Sequence, residues 1–334
     1  MSSGNDAVLL VSFGGPERPE DIEPFLQHVA HGRRIPESRL KEVAAQYHRV
    51  GGRSPINDHN RRLLQQLGVL LQAEGPALPL YWGNRHWHPF LKETVKEMMQ
   101  DGIQHALAFV TSPYSSYSSC RQSLNAIAQA QAEAGEHAPQ ITKLRAYYNH
   151  PRFIQAIVER AQVALTKLRN QGQPKSVHVI FTAHSIPLTM ASQSDYVVQL
   201  HEVAALVAEQ LQQPQWQLAY QSRSGYSSQP WLEPDINEAL KACHTQGLNH
   251  ALVVPIGFIS DHMEVVHDLD YVAFSTARAL GMHVERASTV GDHPEFVAMI
   301  RELILEHTQH LAPRAVGRFG PRPDVCLSTC CPSG

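Results

Sequence analysis

Two segments of the chain hold the residues best suited to handle a metal ion and protons. The first is Thr182-Ala183-His184-Ser185-Ile186-Pro187, in which His184 follows the apolar run Val177–Phe181 by three residues. An imidazole is thereby expected just beyond the carboxyl end of a strand, and Pro187 stops an immediate helix. Position alone is equally compatible with a hydrogen-bonded structural histidine. Ser185 is not read as a hydrolase nucleophile, because the Gly-x-Ser-x-Gly elbow is absent. The second segment runs from Pro255 to Asp268, where Gly257 turns the chain and Asp261, His262, Glu264, His267 and Asp268 follow. On helical spacing, Asp261, Glu264, His267 and Asp268 share one face. Three carboxylates in a row repel one another unless a cation or proton is held there; a solvated charged helix face is the plainer alternative. Histidine with carboxylate suits a borderline ion such as Fe²⁺, and without His-Glu-x-x-His there is no zinc-protease signature.

A third constellation is the hydroxyl-rich loop Thr111–Gln122, which places Cys120 at the start of an expected helix, where a thiol tends toward thiolate. Cys120 with Cys326, Cys330 and Cys331 makes four sulfurs, enough for zinc or an iron–sulfur cluster, although the spacing matches no common ligand pattern. Free thiols on a loose tail are the competing reading. Cys243 lies inside an expected helix and reads as a core residue. Gly51–Ile56 and Tyr81–Trp87 contribute turns, Arg53, Arg85 and aromatic rings, without Gly-x-Gly-x-x-Gly or a Walker lysine. Such arginines pair with carboxylates, and such rings wall a flat apolar ligand.

The elements that must position these residues alternate along the chain. Continuous apolar strands are expected at Ala7–Phe13, Leu78–Trp82, Ala106–Val110, Val177–Phe181, Trp216–Tyr220 and Ala251–Pro255. Helices are expected up to about Val29 and at Pro89–Met99, Ser123–Glu133, Phe153–Leu168, Tyr196–Gln210, Asp235–Gln246 and Pro294–Leu311. Buried strands alternating with helices imply an α/β fold of parallel sheets covered on both faces. Ala134–Pro139 with Asn149-His150-Pro151 is the expected crossover between halves, and Ala312–Gly334 reads as an extended appendage. Ligands of such sheets bind beyond the strands' carboxyl ends, where His184, Glu264, Phe13 and the Thr111–Cys120 loop fall.

Composition narrows the function classes. At 334 residues the chain has room for two ordinary domains. A net charge of −3 with His neutral argues against a nucleic-acid partner. The polar start Met1–Asp6 carries no secretory signal and no apolar run is long enough for a transmembrane segment, so cysteines kept out of disulfides, in a cytoplasmic protein, are expected.

The motifs Ser12-Phe-Gly-Gly-Pro16, Gly51-Gly52 to Pro55-Ile56, Tyr81–Pro89, Phe181–Pro187, Tyr220-Gln-Ser-Arg223, Trp231-Leu-Glu-Pro234 and Pro255–Asp268 resemble, in order and over nearly the whole length, those of the ferrochelatase family. Through Ser116–Cys120 and the cysteine-bearing tail, the chain is similar to the actinobacterial-type enzymes. The resemblance implies two Rossmann-like domains, 1–148 and 149–300, with a porphyrin cleft between them and a helix and tail, 301–334, packing back on the N-terminal domain. It implies that His184 and Glu264 are the catalytic residues and the contacts of Fe²⁺, with Asp268 and His267 in support. It implies a [2Fe–2S] cluster on Cys120, Cys326, Cys330 and Cys331. It implies a soluble enzyme of haem biosynthesis that inserts Fe²⁺ into coproporphyrin III, giving coprohaem and two protons; protoporphyrin IX is the alternative substrate. Phe13, Arg53, Ser54 and Tyr117 are the expected porphyrin contacts, with Arg85 a further propionate partner. Some coproporphyrin-using relatives carry tyrosine where Phe13 stands, and Phe13 cannot ligate iron. A monomer is expected, with hand-off of product to a downstream haem-pathway enzyme. A non-catalytic porphyrin carrier is the rival from another class.

Overall fold

The computed structural model describes residues 6–32, 35–170, 176–224, 229–325 and 330–332. Their first half begins with β1 (Ala7–Ser12), buried at every position, which leads through a short 3₁₀ turn to α1 (Ile22–Ala30). Then come α2 (Glu37–Arg49), α3 (Ile56–Glu74), β2 (Leu80–Asn84), α4 (Leu91–Gln100), β3 (His105–Val110), α5 (Gln122–Ala134) and β4 (Gln140–Lys143). All three pairings in this sheet are parallel, in the order β2-β1-β3-β4.

The second half repeats the plan. After α6 (Pro151–Asn170) come β5 (His178–His184), α7 (Leu188–Ser192), α8 (Tyr196–Gln210), β6 (Trp216–Gln221), α9 (Ile236–Thr245) and β7 (His250–Val254). The chain continues through α10 (Met263–Val265), a π-helical stretch Val266–Ala273, α11 (Phe274–Ala279), β8 (His283–Arg286) and α12 (Pro294–Thr308). The second parallel sheet has the order β6-β5-β7-β8. Among the described residues, then, there are two four-stranded parallel sheets with helices around them, because strands so uniformly apolar need cover on both faces.

One apolar core runs through both halves. It joins Phe109 and Tyr147 of the first to Phe181 and Leu200 of the second, with Phe153 of α6 and Phe296 of α12 between them. Phe109 stacks on Tyr147 at 5.0 Å, and Phe296 meets both rings edge-on. β4, β8, α2 and α3 were not among the expected elements. β4 and β8 are four-residue edge strands without a continuous apolar run.

The described part of the tail is irregular but fastened. Arg145, with its side chain 1% exposed, forms a two-pronged ion pair with Glu306 on α12, both contacts 2.8 Å, and also donates to Arg314 O. The Arg145 amide donates to Asp324, Asn149 donates to the carbonyls of Phe319 and Gly320, and Arg318 pairs with the buried Glu202 of α8. Cys326 lies outside the described residues. No described helix is long and apolar enough to cross a membrane.

Removing one member of the buried Arg145–Glu306 pair strands the other charge. Arg145→Ala is expected to lower the free energy of unfolding by about 3–5 kcal/mol, read as a fall in the urea midpoint. A change below about 1 kcal/mol would mean that the tail is not held through this pair.

Candidate active site

His184 is the last residue of β5, opposite Gln221 of β6. The strand thus runs three residues further than its apolar stretch, and it carries the imidazole to the sheet's carboxyl edge. His184 Nδ1 lies 2.5 Å from the carbonyl oxygen of Ser185. A carbonyl only accepts, so Nδ1 bears the hydrogen, and in the neutral ring the lone pair sits on Nε2. Nε2 faces Glu264 Oε2 at 3.7 Å. The side chains of His184 and Glu264 are 30% and 39% exposed, so the pair meets solvent.

Glu264 reaches this position because two strand ends touch with nothing between them. A Cβ on Gly257 would lie 2.6 Å from Ala183 Cα, so only glycine allows the turn after β7 to rest on β5. The Gly257 amide donates to Thr182 O at 3.0 Å and locks the approach. From there the chain enters the helix capped by His262, whose Nδ1 accepts from the Val265 amide.

The carboxylate row expected on one α-helical face does not form. Asp261 precedes the helix and pairs with Arg286 at 2.9 Å. From Val266 the helix is π-wound, which changes the angular spacing of Glu264, His267 and Asp268. His267 is 5% exposed, its Nδ1 sits 2.9 Å from Asp268 Oδ1, and its ring stacks on Tyr271. The second oxygen of Asp268 accepts from Ser222 at 2.5 Å. Self-repulsion is thus relieved by Arg286, Ser222 and His267, and Glu264 alone of the three is left to face His184.

Electrostatics follow from this pairing. Burial disfavours the charged imidazole of His184, but the Glu264 carboxylate, the Ser185 carbonyl and Asp268 together outweigh it and raise its pKa above the ordinary 6.5. Burial likewise opposes ionised Glu264, and the attraction of His184 and His262 prevails, pulling it down to about 2. The neighbouring His262 is pushed below its ordinary value, by burial first and by His184. The pair thus favours imidazolium facing carboxylate, an interaction screened in part by solvent.

The porphyrin-contact candidates divide. Phe13 follows β1, is 41% exposed, packs on His86 at 4.4 Å and lies under the Arg85 guanidinium at 5.7 Å. Arg85 also donates to Gln122 and to the carbonyl of Ser118, so Phe13, Arg85 and the π-turn that begins at Tyr117 form one neighbourhood. Arg53 is half-exposed and paired with Asp58. Ser54 is buried beneath the turn after β1, where a Cβ on Gly15 would come within 2.7 Å of it. The structure thus places Ser54 as support for that turn. Of the cysteines, Cys120 and Cys331 are buried, and the Cys330 and Cys331 sulfurs are 3.5 Å apart. Arg121, next to Cys120, donates to the Cys330 carbonyl at 2.8 Å. Cys243 is buried in α9 against Gln217. Among the described residues no group of three or more His, Cys, Asp or Glu side chains is arranged to hold a metal.

Two residues beside the pair escaped the sequence reading. Tyr47 of α2 is buried with Phe25 and Met263, and burial and the field of Glu264 both raise its hydroxyl pKa. Its signal was present: Leu40, Val43, Ala44 and Tyr47 recur at helical spacing. His262 stands between Asp261 and Glu264 in sequence, and only the capping geometry sets it apart.

Two parallel sheets, carrying their polar residues at the carboxyl ends, define an α/β protein, and solved structures of chelatases share its fold. SirB from Bacillus subtilis with Fe³⁺ superposes with a TM-score of 0.54 at 14% identity, over 90% of this chain and 96% of that one. The sirohydrochlorin chelatase SirB from Bacillus subtilis subspecies spizizenii, in complex with cobalt, gives 0.50 at 12%, over 91% and 95%. Sequence comparison is more specific. The ferrochelatase family profile matches residues 5–308. A ferrochelatase of Rhodopirellula baltica is 46% identical, over 98% of this chain and 93% of its own. Coproporphyrin III ferrochelatases of Frankia alni and Streptomyces coelicolor are 46% and 43% identical, covering 98% and 99% of this chain and 86% and 94% of theirs. The chain belongs to the ferrochelatase family, enzymes of the metal-chelatase class.

The charge balance of the pair has a direction that can be measured. Glu264→Gln removes the largest influence raising His184, so burial then governs and the His184 pKa falls, as read by imidazole NMR. In the native pair, the His184 contribution to stability is full below 6.5 and fades as pH rises through its raised folded value. The Glu264 contribution is full above 4.5 and fades as pH falls through about 2. An unchanged His184 titration in Glu264→Gln would show that the two do not interact.

Proposed function

We propose that the protein inserts Fe²⁺ into coproporphyrin III, yielding coprohaem and two protons, with His184 and Glu264 as the pair that receives iron and takes up pyrrole protons. The observation that carries this reading is the 3.7 Å approach of His184 Nε2 to Glu264 at the carboxyl ends of two parallel strands. An ion with nitrogen and oxygen ligands at roughly 2.1 Å each fits between atoms so spaced. Two ligands hold an ion in transit, leaving its other positions to water and then to the pyrrole nitrogens.

The order of events follows from proton affinity. Fe²⁺ and a proton compete for Nε2, so iron binds there as any proton leaves. When iron moves into the ring, Nε2 is vacated beside the pyrrole N–H groups. His184 is the stronger base of the two, and it accepts the two departing pyrrole protons in turn, handing each to solvent. Glu264, held as a carboxylate, stabilises the imidazolium at each transfer. The ring must bend to expose its lone pairs, and binding energy from remote propionates offsets that distortion. Phe13, Tyr117 and Arg53 are the proposed porphyrin contacts, joined by Arg85, with Ser54 acting through the turn it supports. Asp268 and His267 orient the stretch that carries Glu264. The domain division at 148/149, with 301–334 returning to the first half, belongs to the same proposal, as does a cytoplasmic monomer that hands coprohaem onward.

A [2Fe–2S] cluster on Cys120, Cys326, Cys330 and Cys331 is the second part of the proposal. Two observations support it: Arg121, next to Cys120 in sequence, donates to the Cys330 carbonyl, and the Cys120 and Cys331 side chains are withdrawn from solvent. When bound, such a group supplies a cross-link between tail and α5 and one-electron redox capacity; the insertion steps above run through His184 and Glu264 alone. Protein grown anaerobically with ample iron is expected to be red-brown and to bleach on reduction. Colourless protein would remove the cluster from the proposal.

The decisive assay supplies Fe²⁺ anaerobically with coproporphyrin III or protoporphyrin IX. Coproporphyrin is expected to turn over preferentially, and His184→Ala is expected to lose about 10²–10⁴-fold in rate while still binding porphyrin. A preference for protoporphyrin would overturn the substrate, and porphyrin left metal-free by the native protein would make it a carrier.

A further inference from the structure

The first turn of α8 and the loop after β3 meet the backbone of His184 and the turn after β7 that leads toward Glu264. Tyr196, 5% exposed, donates its hydroxyl to the His184 carbonyl at 3.0 Å. One turn on, Gln199 is 1% exposed and makes two bonds to Ser115: its side-chain oxygen accepts from the Ser115 amide at 2.8 Å, and its nitrogen donates to Ser115 Oγ at 2.9 Å. Ser115 belongs to the same loop as Cys120 and is itself buried. Its neighbour Tyr114, 2% exposed, crosses to the other half and donates to the carbonyl of Ile256 at 2.9 Å, next to Gly257, where the chain turns toward Glu264. The Tyr114 and Tyr196 rings meet edge-on at 5.9 Å. Burial raises both phenol pKa values, so the hydroxyls remain donors at any working pH.

These contacts form a closed brace. One end of it grips the backbone of His184 and the other grips the backbone that launches Glu264, and the link between them is a loop from the other sheet. No member touches the 3.7 Å gap itself, and every bond is to a main-chain atom or to another member. Main-chain anchoring sets where a side chain starts, and therefore how far apart two facing side chains stand.

We propose that Tyr196, with Tyr114, Gln199 and Ser115 behind it, is a positioning residue that fixes the His184–Glu264 separation and so couples the Cys120-bearing loop to metal insertion. The inference rests on the reading of His184 and Glu264 as the insertion pair. Reacting groups misplaced by an ångström lose up to about a hundredfold in rate, and the Tyr196 and Ser115 hydroxyls bond to the His184 carbonyl and to Gln199, not to a proposed porphyrin contact. The brace should therefore be felt in kcat and not in KM.

The test uses the full-length protein in anaerobic Fe²⁺ insertion with coproporphyrin III, alongside NMR of the His184 imidazole and thermal unfolding. Tyr196→Phe keeps the ring and removes the one hydroxyl. It is expected to lower kcat about tenfold with KM within about twofold, and to shift the His184 resonances. Ser115→Ala leaves the amide bond to Gln199 intact and is the milder variant. It is expected to lower kcat about threefold and to move the same resonances although it makes no contact with His184. Its effect should not multiply with that of Tyr196→Phe, since residues acting through one network are not additive. Unaltered kcat and resonances in either folded variant, or fully multiplicative effects, would overturn the brace. If Tyr196→Phe does not fold, Ser115→Ala decides alone. His184→Ala separates the two ideas. Native rates in His184→Ala would defeat the insertion pair, while an inactive His184→Ala beside unimpaired Tyr196→Phe and Ser115→Ala would defeat only the brace.

Discussion

Everything at the site depends on two strand ends being allowed to touch. Gly257 rests on Ala183 with no side chain between them, and the amide of Gly257 is bonded to Thr182 O. Had any other residue stood at 257, its Cβ would have overlapped β5, and one of the two strand ends would have had to shift. Hydrophobic burial assembles the two sheets, but it does not choose a 3.7 Å separation between an imidazole and a carboxylate. That choice comes from backbone contacts made where the apolar strands stop.

The π-wound stretch from Val266 extends the same logic. Continued α-helical winding would have stacked the acidic residues in one row, with each carboxylate raising the proton affinity of the next. The wider winding separates their duties. Asp268 is held by Ser222 and His267, Asp261 and Asp270 are held by Arg286, and Glu264 keeps its charge for His184. A carboxylate so placed remains ionised down to about pH 2, which a chelating group needs if it is to meet a cation rather than a proton. The left-over buried Nε2 of His267 has no protein partner among the described residues.

This division explains what could be read before the fold was known. The strands were legible because each is a run of apolar residues that must be covered on both faces: Ala7–Ser12, His105–Val110 and His250–Val254 lie within a residue or two of their expected bounds. His184 and Glu264 were legible because they follow such runs, and parallel sheets keep their chemistry there. The edge strands Gln140–Lys143 and His283–Arg286 were not, since an edge needs less apolar cover and theirs is partial. The π winding was not legible either. Its residues carry no marker in sequence, and the assumption of 3.6-residue spacing placed Asp261 in a helix that has not yet begun there. The support that Ser54 gives was not legible for a related reason: a serine beside a glycine-rich turn reads as a ligand contact, and only the packing of Gly15 against it reveals the support.

Tail and site are fastened by the same means, main-chain atoms gripped by side chains. Arg121 takes the Cys330 carbonyl, Asp324 accepts from the Arg145 amide, Tyr196 takes the His184 carbonyl, and Tyr114 takes that of Ile256. Bonds to the backbone leave the side chain of the gripped residue to its own contacts, as with the His184 imidazole against Ser185 and Glu264. They also transmit displacement efficiently, because a shifted carbonyl moves the Cα that carries the side chain. Cys120 sits one residue past Ser119, whose hydroxyl donates to the Tyr114 carbonyl at 2.8 Å. The path from Cys120 to the His184–Glu264 pair is thus a short succession of hydrogen bonds. A rearrangement of this loop would reach that pair and also Tyr117, which the same loop carries.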